Sequence, residues 1–119
     1  MDSQELASEL AQIYAILTDL PKGDIGGIQD DLASSNGWLA RSAVLEAEAQ
    51  NLLDRKRGTV CEKYLDSPAT QLRVFLDSEC SEERRLFHLA DRLNATLSHR
   101  IDSLRSLLSF EKQQRIAER

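Results

Sequence analysis

The stretch that decides the fold runs from Ser81 to Arg119 and reads SEERRLFHLADRLNATLSHRIDSLRSLLSFEKQQRIAER. It contains no Pro or Gly, and apolar residues follow each other in it at spacings of 4, 3, 4, 4, 3 and 4. These apolar residues are Leu86, Ala90, Leu93, Leu97, Ile101, Leu104 and Leu108. The spacing is typical of one face of an amphipathic α-helix, and it predicts a single helix over about 82–115.

A second stripe of apolar residues lies near the start of the chain, where the spacings are 4, 3, 4 and 3. Its members are Leu6, Leu10, Ile13, Leu17 and Leu20. Asp2 is a suitable N-cap for this helix, and Pro21 would end it. The pattern predicts a first helix over about 3–20.

The middle of the chain predicts three more helical segments. Asp24 can cap a helix over about 25–34, and the segment Ser34–Gly37 predicts a break because a Gly inside a helix costs about 1 kcal/mol relative to Ala. From Trp38 the apolar pattern resumes and predicts a helix over about 38–64, passing Gly58. Ser67 as N-cap and Pro68 as first helical residue predict a helix over about 68–77. Ser81 would cap the last helix.

Composition agrees with an all-α protein. Aromatic residues make up 5% of the 119 residues, so the core must consist mainly of Leu, Ile and Ala, which suit packing of helix on helix. We therefore expect residues 1–119 to form one domain, a bundle of about four helices. The final helix would be about 50 Å long, which is longer than its shorter partners can cover. Either its end projects from the bundle, or it pairs with a second copy as a homodimer, with possible coiled-coil packing, through Leu104, Leu108 and Ile116.

Charge is distributed unevenly along the chain. The whole protein has a net charge of −5, and residues 1–33 hold seven acids against one base. Residues 92–119 instead hold six bases against three acids. The acidic first third predicts a surface for a protein partner, and its candidate residues are Asp19, Asp24, Asp30, Asp31 and Trp38. The basic residues are candidates for phosphate contact, namely Arg55, Lys56, Arg57, Arg100, Arg105 and Lys112.

The sequence offers no constellation for catalysis, cofactor binding or metal binding. His88 and His99 lie about 16 Å apart along one helix, so they cannot share a metal ion within one chain. Cys61 and Cys80 lack the spacing of zinc ligands, and we expect them to be free thiols. The acids that are close in sequence diverge around a helix and form poor acid–base pairs. We expect a non-enzymatic protein without a cofactor.

The chain shows neither a secretion signal nor an apolar run of the ~18 residues that a membrane span requires. The two cysteines are too few for a disulfide framework. We therefore expect a cytoplasmic protein with no membrane partner.

Three segments resemble small helical proteins that are common in tailed-phage and prophage genomes. They are the Ala/Glu-rich residues 43–49, the segment Arg55–Gly58, and residues 104–112 with the pattern LRSLLSFEK. The resemblance covers roughly residues 40–115. It implies a phage accessory protein in the cytoplasm of a bacterial host, of a kind sometimes linked to recombination or to takeover of the host.

Three functions follow from these observations as hypotheses. The first is a protein-binding accessory protein, such as an inhibitor or modulator of a host defence protein. The second is a nucleic-acid-associated accessory factor in phage recombination or replication, which would use the basic residues. The third is a helical structural or assembly subunit. The acidic net charge disfavours the second, because nonspecific nucleic-acid binding depends on neutralising phosphates.

Overall fold

A computed structural model describes residues 1–18 and 23–118, and within them the protein is an all-α bundle of four helices. The helices are α1 (Ser3–Ile16), α2 (Ile25–Lys63), α3 (Ala69–Glu79) and α4 (Ser81–Ala117). The described part of the molecule measures 76 × 24 × 18 Å, so it is an elongated rod. The predicted long C-terminal helix is confirmed, and it has an almost equally long partner in α2.

The two long helices, α2 and α4, form an antiparallel hairpin that runs the length of the rod. Near the middle Ser42 lies against Asn94, and near one end Val60 packs with Cys80. Towards the other end Asn36 and Leu39 lie beside residues 98–105. The helix α3 packs at the end where the hairpin turns, and α1 lies along the middle of the hairpin.

The core buries most of the apolar stripes that the sequence predicts, while Leu17 and Leu108 are half-buried and Leu20 lies outside the described residues. From α4 it buries Leu86, Ala90, Leu93, Leu97, Ile101 and Leu104. From α1 it buries Leu6, Leu10 and Ile13, which pack on Leu45 and Ala49 of α2. Tyr14 fixes α1 on α4, because its hydroxyl donates a hydrogen bond to the Leu89 carbonyl at 3.1 Å.

The predicted break at Ser34–Gly37 is wrong, because α2 continues through it as one helix of 39 residues. Burial explains the continuity, since Ile28 before this segment, Ser35 within it, and Ser42 and Leu45 after it are all buried. Burying a side chain such as Ile contributes about 1.5–3 kcal/mol, which exceeds the cost of one Gly.

Several predicted helix ends also differ from the structure. The first helix ends at Ile16, short of the predicted 20, while Leu20 and Pro21 lie outside the described residues. Pro68 has extended backbone with ψ of 151°, so it is the N-cap of α3 and Ser67 is not. Only Cys80 separates α3 from α4. Ser81 is the first residue of α4 and does not cap it, so the predicted cap at Ser81 is wrong. The predicted caps Asp2 and Asp24 are confirmed, since each accepts a backbone N–H of its helix.

Candidate functional site

A groove runs along the flank of α1 next to Trp38 of α2. Its volume is about 620 Å³. Its floor is apolar, with the buried Ile13 and with Ile16, whose exposed fraction is 40%. Its wall is formed by polar and acidic residues of α1, which are Gln4, Glu5, Ser8, Glu9 and Gln12. The groove follows α1 over more than three helical turns.

Trp38 lies where this groove meets two smaller ones. One of them has a volume of about 330 Å³ and is also lined by Ser34, Gly37 and Arg41. The other, of about 180 Å³, is shared with Ile16 and Leu17 of α1. The indole of Trp38 packs partly against the central core and is half-buried. Its remaining surface is therefore open to solvent from more than one side.

An ion pair between Glu9 and Arg41 fixes the position of α1 beside the groove. The guanidinium donates from Nε to Oε1 and from Nη2 to Oε2, the second contact measuring 2.8 Å. This hydrogen-bonded pairing lowers the pKa of Glu9 below its ordinary value. Because Arg41 already neutralises Glu9, the negative charge that a ligand meets in the groove comes mainly from Glu5, the other acid of α1.

The electrostatic character of the groove is acidic. Among its described lining residues two are acidic and none is basic. Residues 1–18 contain Asp2, Glu5 and Glu9 but no Lys or Arg. Glu5 is exposed and makes no ion pair with a described residue. The groove therefore favours a basic ligand that also carries an apolar group.

The structure brings only some of the predicted partner-binding residues to this region. Trp38 and Asp31 line the smallest of the three grooves together. Asp30 is exposed on α2, and Asp24 is engaged as the cap of that helix, accepting from the Gly27 N–H at 2.6 Å. Asp19 lies outside the described residues. The groove residues of α1 were not predicted, although the absence of bases in residues 1–18 was a visible signal.

The predicted self-association residues differ in their surroundings. Leu104 is only 1% exposed, so its own chain covers it. Leu108 is half-buried, whereas Ile116 is 70% exposed near the end of α4. Phe110, which the sequence analysis did not single out, is 54% exposed in the same segment. Exposed apolar surface is thus present at this end of the rod, but it does not centre on Leu104.

The predicted phosphate-contact residues do not form one surface. Arg55, Lys56 and Arg57 lie on α2 towards the end where α3 packs, and Arg57 faces Asp54 at 3.9 Å. The other three, Arg100, Arg105 and Lys112, lie on α4 towards the opposite end of the rod. Arg105 lines a groove with Asn36, about 20 residues of helix and roughly 30 Å from Lys56.

One pair of acids does meet across the hairpin, and the sequence analysis missed it. Burial raises the pKa of Glu46 on α2, and the neighbouring carboxyl of Asp91 on α4 raises it further. A carboxyl group with a raised pKa is a candidate acid–base group when it lies in a cleft. Neither residue lines the grooves described above.

The two cysteines are free thiols with different surroundings. Cys80 is fully buried, and burial raises the pKa of its thiol. A thiol with a raised pKa is a poor nucleophile, because the thiolate is the reactive form. Cys61 is half-buried on α2. Both histidines, His88 and His99, are exposed on α4.

Within residues 1–18 and 23–118, no group of three or more His, Cys, Asp or Glu residues is arranged to hold a metal ion. In the same part of the chain, no helix is both long enough and apolar enough to cross a membrane.

Comparison of the chain with protein-family models, with curated proteins and with solved structures gave no match.

Proposed function

We propose that this protein is a non-enzymatic accessory protein that binds another protein through the groove between α1 and Trp38. The observation that carries the proposal is the position of Trp38 at the junction of three grooves. Tryptophan is enriched among residues that dominate binding energy, especially where pockets meet. A half-buried indole held by a rigid helix loses little entropy when a partner covers it.

The groove suits an amphipathic helix of the partner. Its length along α1, from Gln4 to Ile16, corresponds to about 18 Å or three turns of helix. Binding of a helix in a groove uses apolar anchors on one face of the bound helix. In this proposal such anchors contact Ile16 and Trp38, and basic side chains of the partner face Glu5.

We extend the proposal to the setting in which the protein acts. The resemblance of residues 43–49, 55–58 and 104–112 to phage proteins supports a phage accessory protein acting in the cytoplasm of a bacterial host. The partner would then be a host protein, for example a defence protein that the phage protein inhibits.

Affinity capture from cells that produce the protein tests this proposal when variants are compared side by side. We expect Trp38→Ala and Ile16→Gln to reduce the recovery of a specific partner at least tenfold. Ile16→Gln changes an exposed side chain at the end of α1 and leaves the buried core intact. It therefore complements Trp38→Ala, which removes part of the packing around the core.

The matched control is Val74→Ala, which changes an exposed apolar residue on α3 far from the groove. We expect it to recover the partner as well as the wild type does. Equal recovery by all four proteins, or the absence of a specific partner in each, would contradict the proposal. Thermal unfolding of each variant shows whether lost recovery reflects lost folding.

A further inference from the structure

The segment of α4 near its end carries a stripe of exposed residues at the same spacing as one side of the α1 groove. Arg105, Ser109, Lys112 and Ile116 are all exposed and follow each other at spacings of 4, 3 and 4. Such residues lie on one face of a helix, one above the other. We call this set the α4 stripe.

The groove side of α1 has the same spacing. Its residues are Glu5, Glu9, Gln12 and Ile16, again at spacings of 4, 3 and 4, and all four line the groove. We call this set the α1 stripe. Each stripe extends over about 17 Å. Each ends in a partly or largely exposed isoleucine, since Ile16 is 40% exposed and Ile116 is 70% exposed.

We propose that the α4 stripe of one copy of this chain docks, parallel, on the α1 stripe of a second copy. In this register Ile116 of one copy packs on Ile16 and Trp38 of the other. Arg105 then faces Glu5, and the Lys112 ammonium faces the Gln12 side-chain carbonyl. Residues at spacings of 4 and 3 form one continuous face of a helix, so the two stripes can lie along each other over their whole length.

Charge complementarity supports a second copy as the occupant. The α1 stripe contains the acids Glu5 and Glu9 and no base, whereas the α4 stripe contains the bases Arg105 and Lys112 and no acid. The contact of Ile116 with Ile16 would bury apolar surface at the end of each stripe. Within the two stripes no like charges oppose each other in this register, and Arg41 stays paired with Glu9 opposite the uncharged Ser109.

The two stripes are different surfaces, so the contact is heterologous. Within one chain α1 and α4 are parallel, but the α4 stripe lies beyond the end of α1 along the rod. Docking of the next copy therefore requires a shift along the rod axis. After two copies have docked, each of them still has one unused stripe, which a further copy can occupy. Heterologous contacts that do not close generate open chains of subunits. This inference does not depend on the proposed function, but both occupants use the same groove and must compete for it.

A mixing experiment with two variants tests the inference. The first, Glu5→Arg/Ile16→Gln, removes the α1 stripe, and the second, Arg105→Glu/Ile116→Gln, removes the α4 stripe. Light scattering at concentrations up to about 1 mM and low salt measures their mass, since exposed ion pairs weaken as salt is added. The wild type should increase in mass beyond a dimer, while each variant alone should remain monomeric.

The equimolar mixture of the two variants tests whether the α4 stripe of one copy docks on the α1 stripe of another. It retains one intact α4 stripe and one intact α1 stripe, so it should form a dimer of one copy of each and nothing larger. A wild type that stays monomeric, variants that associate as the wild type does, or a mixture that stays monomeric would each overturn the inference. A mixture that grows beyond the dimer would overturn it as well.

Two further proteins keep the result independent of folding defects. The chain carrying both Glu5→Arg and Arg105→Glu reverses the charge pair, and it should regain association that either single reversal loses. Val74→Gln, outside both stripes, should associate as the wild type does. Failure of the charge reversal to restore association would overturn the register, whatever the result for partner binding.

Discussion

At the scale of single residues, a small polar contact inside the hairpin is a determinant of how α2 and α4 pack. Ser42 is fully buried, and its hydroxyl donates to the Leu39 carbonyl at 2.8 Å. It also accepts a hydrogen bond from the side-chain amide of Asn94 at 3.1 Å. A buried polar contact between helices favours one register over others, because any shift would leave its members unpaired.

We predict that Ser42→Ala lowers the free energy of unfolding by about 1 kcal/mol, since Asn94 loses its partner. Ser42→Leu should cost about 1–3 kcal/mol, because the helices leave no space for the larger side chain. Urea unfolding of both variants measures these values. Ser106→Ala, at an exposed position of α4, is the control and should be neutral. A Ser42→Leu protein as stable as the wild type would contradict close packing at this position.

The carboxyl pair of Glu46 and Asp91 predicts a pH effect with a definite sign. The folded state holds a proton on Glu46 more tightly than the unfolded chain does, because its pKa is raised. This contribution to stability is present below the ordinary carboxyl pKa of about 4.3 and is lost as the pH rises through the folded pKa. When Glu46 is ionised, its contact with the Asp91 carboxyl across α2 and α4 is repulsive.

Glu46→Gln should therefore stabilise the fold at pH 7 by about 0.5 kcal/mol, the order measured for like-charged neighbours on helices. The difference from the wild type should disappear below pH 4, where the wild-type carboxyl is neutral. Urea unfolding at both pH values measures this. Glu62→Gln, which changes an exposed residue on the same helix, is the control and should not stabilise the fold at pH 7. Destabilisation by Glu46→Gln at pH 7 would show that the pair is not repulsive.

At the scale of helices, the sequence predicted the apolar stripes better than the helix ends. The core buries Leu6, Leu10 and Ile13 of the first predicted stripe and the members from Leu86 to Leu104 of the second, because periodicity reports directly which face of a helix is covered. The continuity of α2 was missed, because local propensity at Ser34–Gly37 is outweighed by packing on α4. Propensity rules carry no information on that packing.

Substitution of the glycines of α2 measures how much local helix propensity contributes to the stability of this helix. A Cβ atom built on Gly37 or Gly58 meets no other atom within 4 Å, and no glycine that the structure describes has a positive φ. These residues therefore lower the helix propensity of α2 without a compensating contact.

Gly58→Ala should raise the free energy of unfolding by about 0.5–1 kcal/mol. Gly37→Ala should stabilise the fold by the same amount, although it also places a methyl group in the groove beside Trp38. Thermal or urea unfolding tests both. A loss of stability in Gly58→Ala would mean that α2 is not a regular helix at this point.

At the scale of the whole molecule, the long hairpin explains the shape but leaves parts of its surface uncovered. The helix α1 covers the middle of the hairpin and α3 covers one end, while the apolar residues Phe110 and Ile116 stay exposed at the other. The sequence predicted that this end would be incompletely covered. It did not predict the groove, because the groove depends on where α1 lies on α2, and periodicity does not give the relative position of helices.

The homodimer through Leu104, Leu108 and Ile116 stays a prediction. Burial of Leu104 within its own chain leaves Ile116 as the member of this set with most surface available for a second copy. The light-scattering experiment with the stripe variants measures the oligomeric state directly.

The central claim is that the groove beside Trp38 binds another protein, and site-specific photo-crosslinking in producing cells tests it most directly. A photoreactive amino acid would replace Gln12 in the groove beside Trp38. As a matched control it would replace Gln71, which lines a separate groove on α3. Both are exposed glutamines on helices. The account predicts a crosslink from position 12 to a different protein, identified by mass spectrometry, and none of that product from position 71. Crosslinks from position 12 to the chain itself alone, or the same foreign protein from both positions, would contradict it.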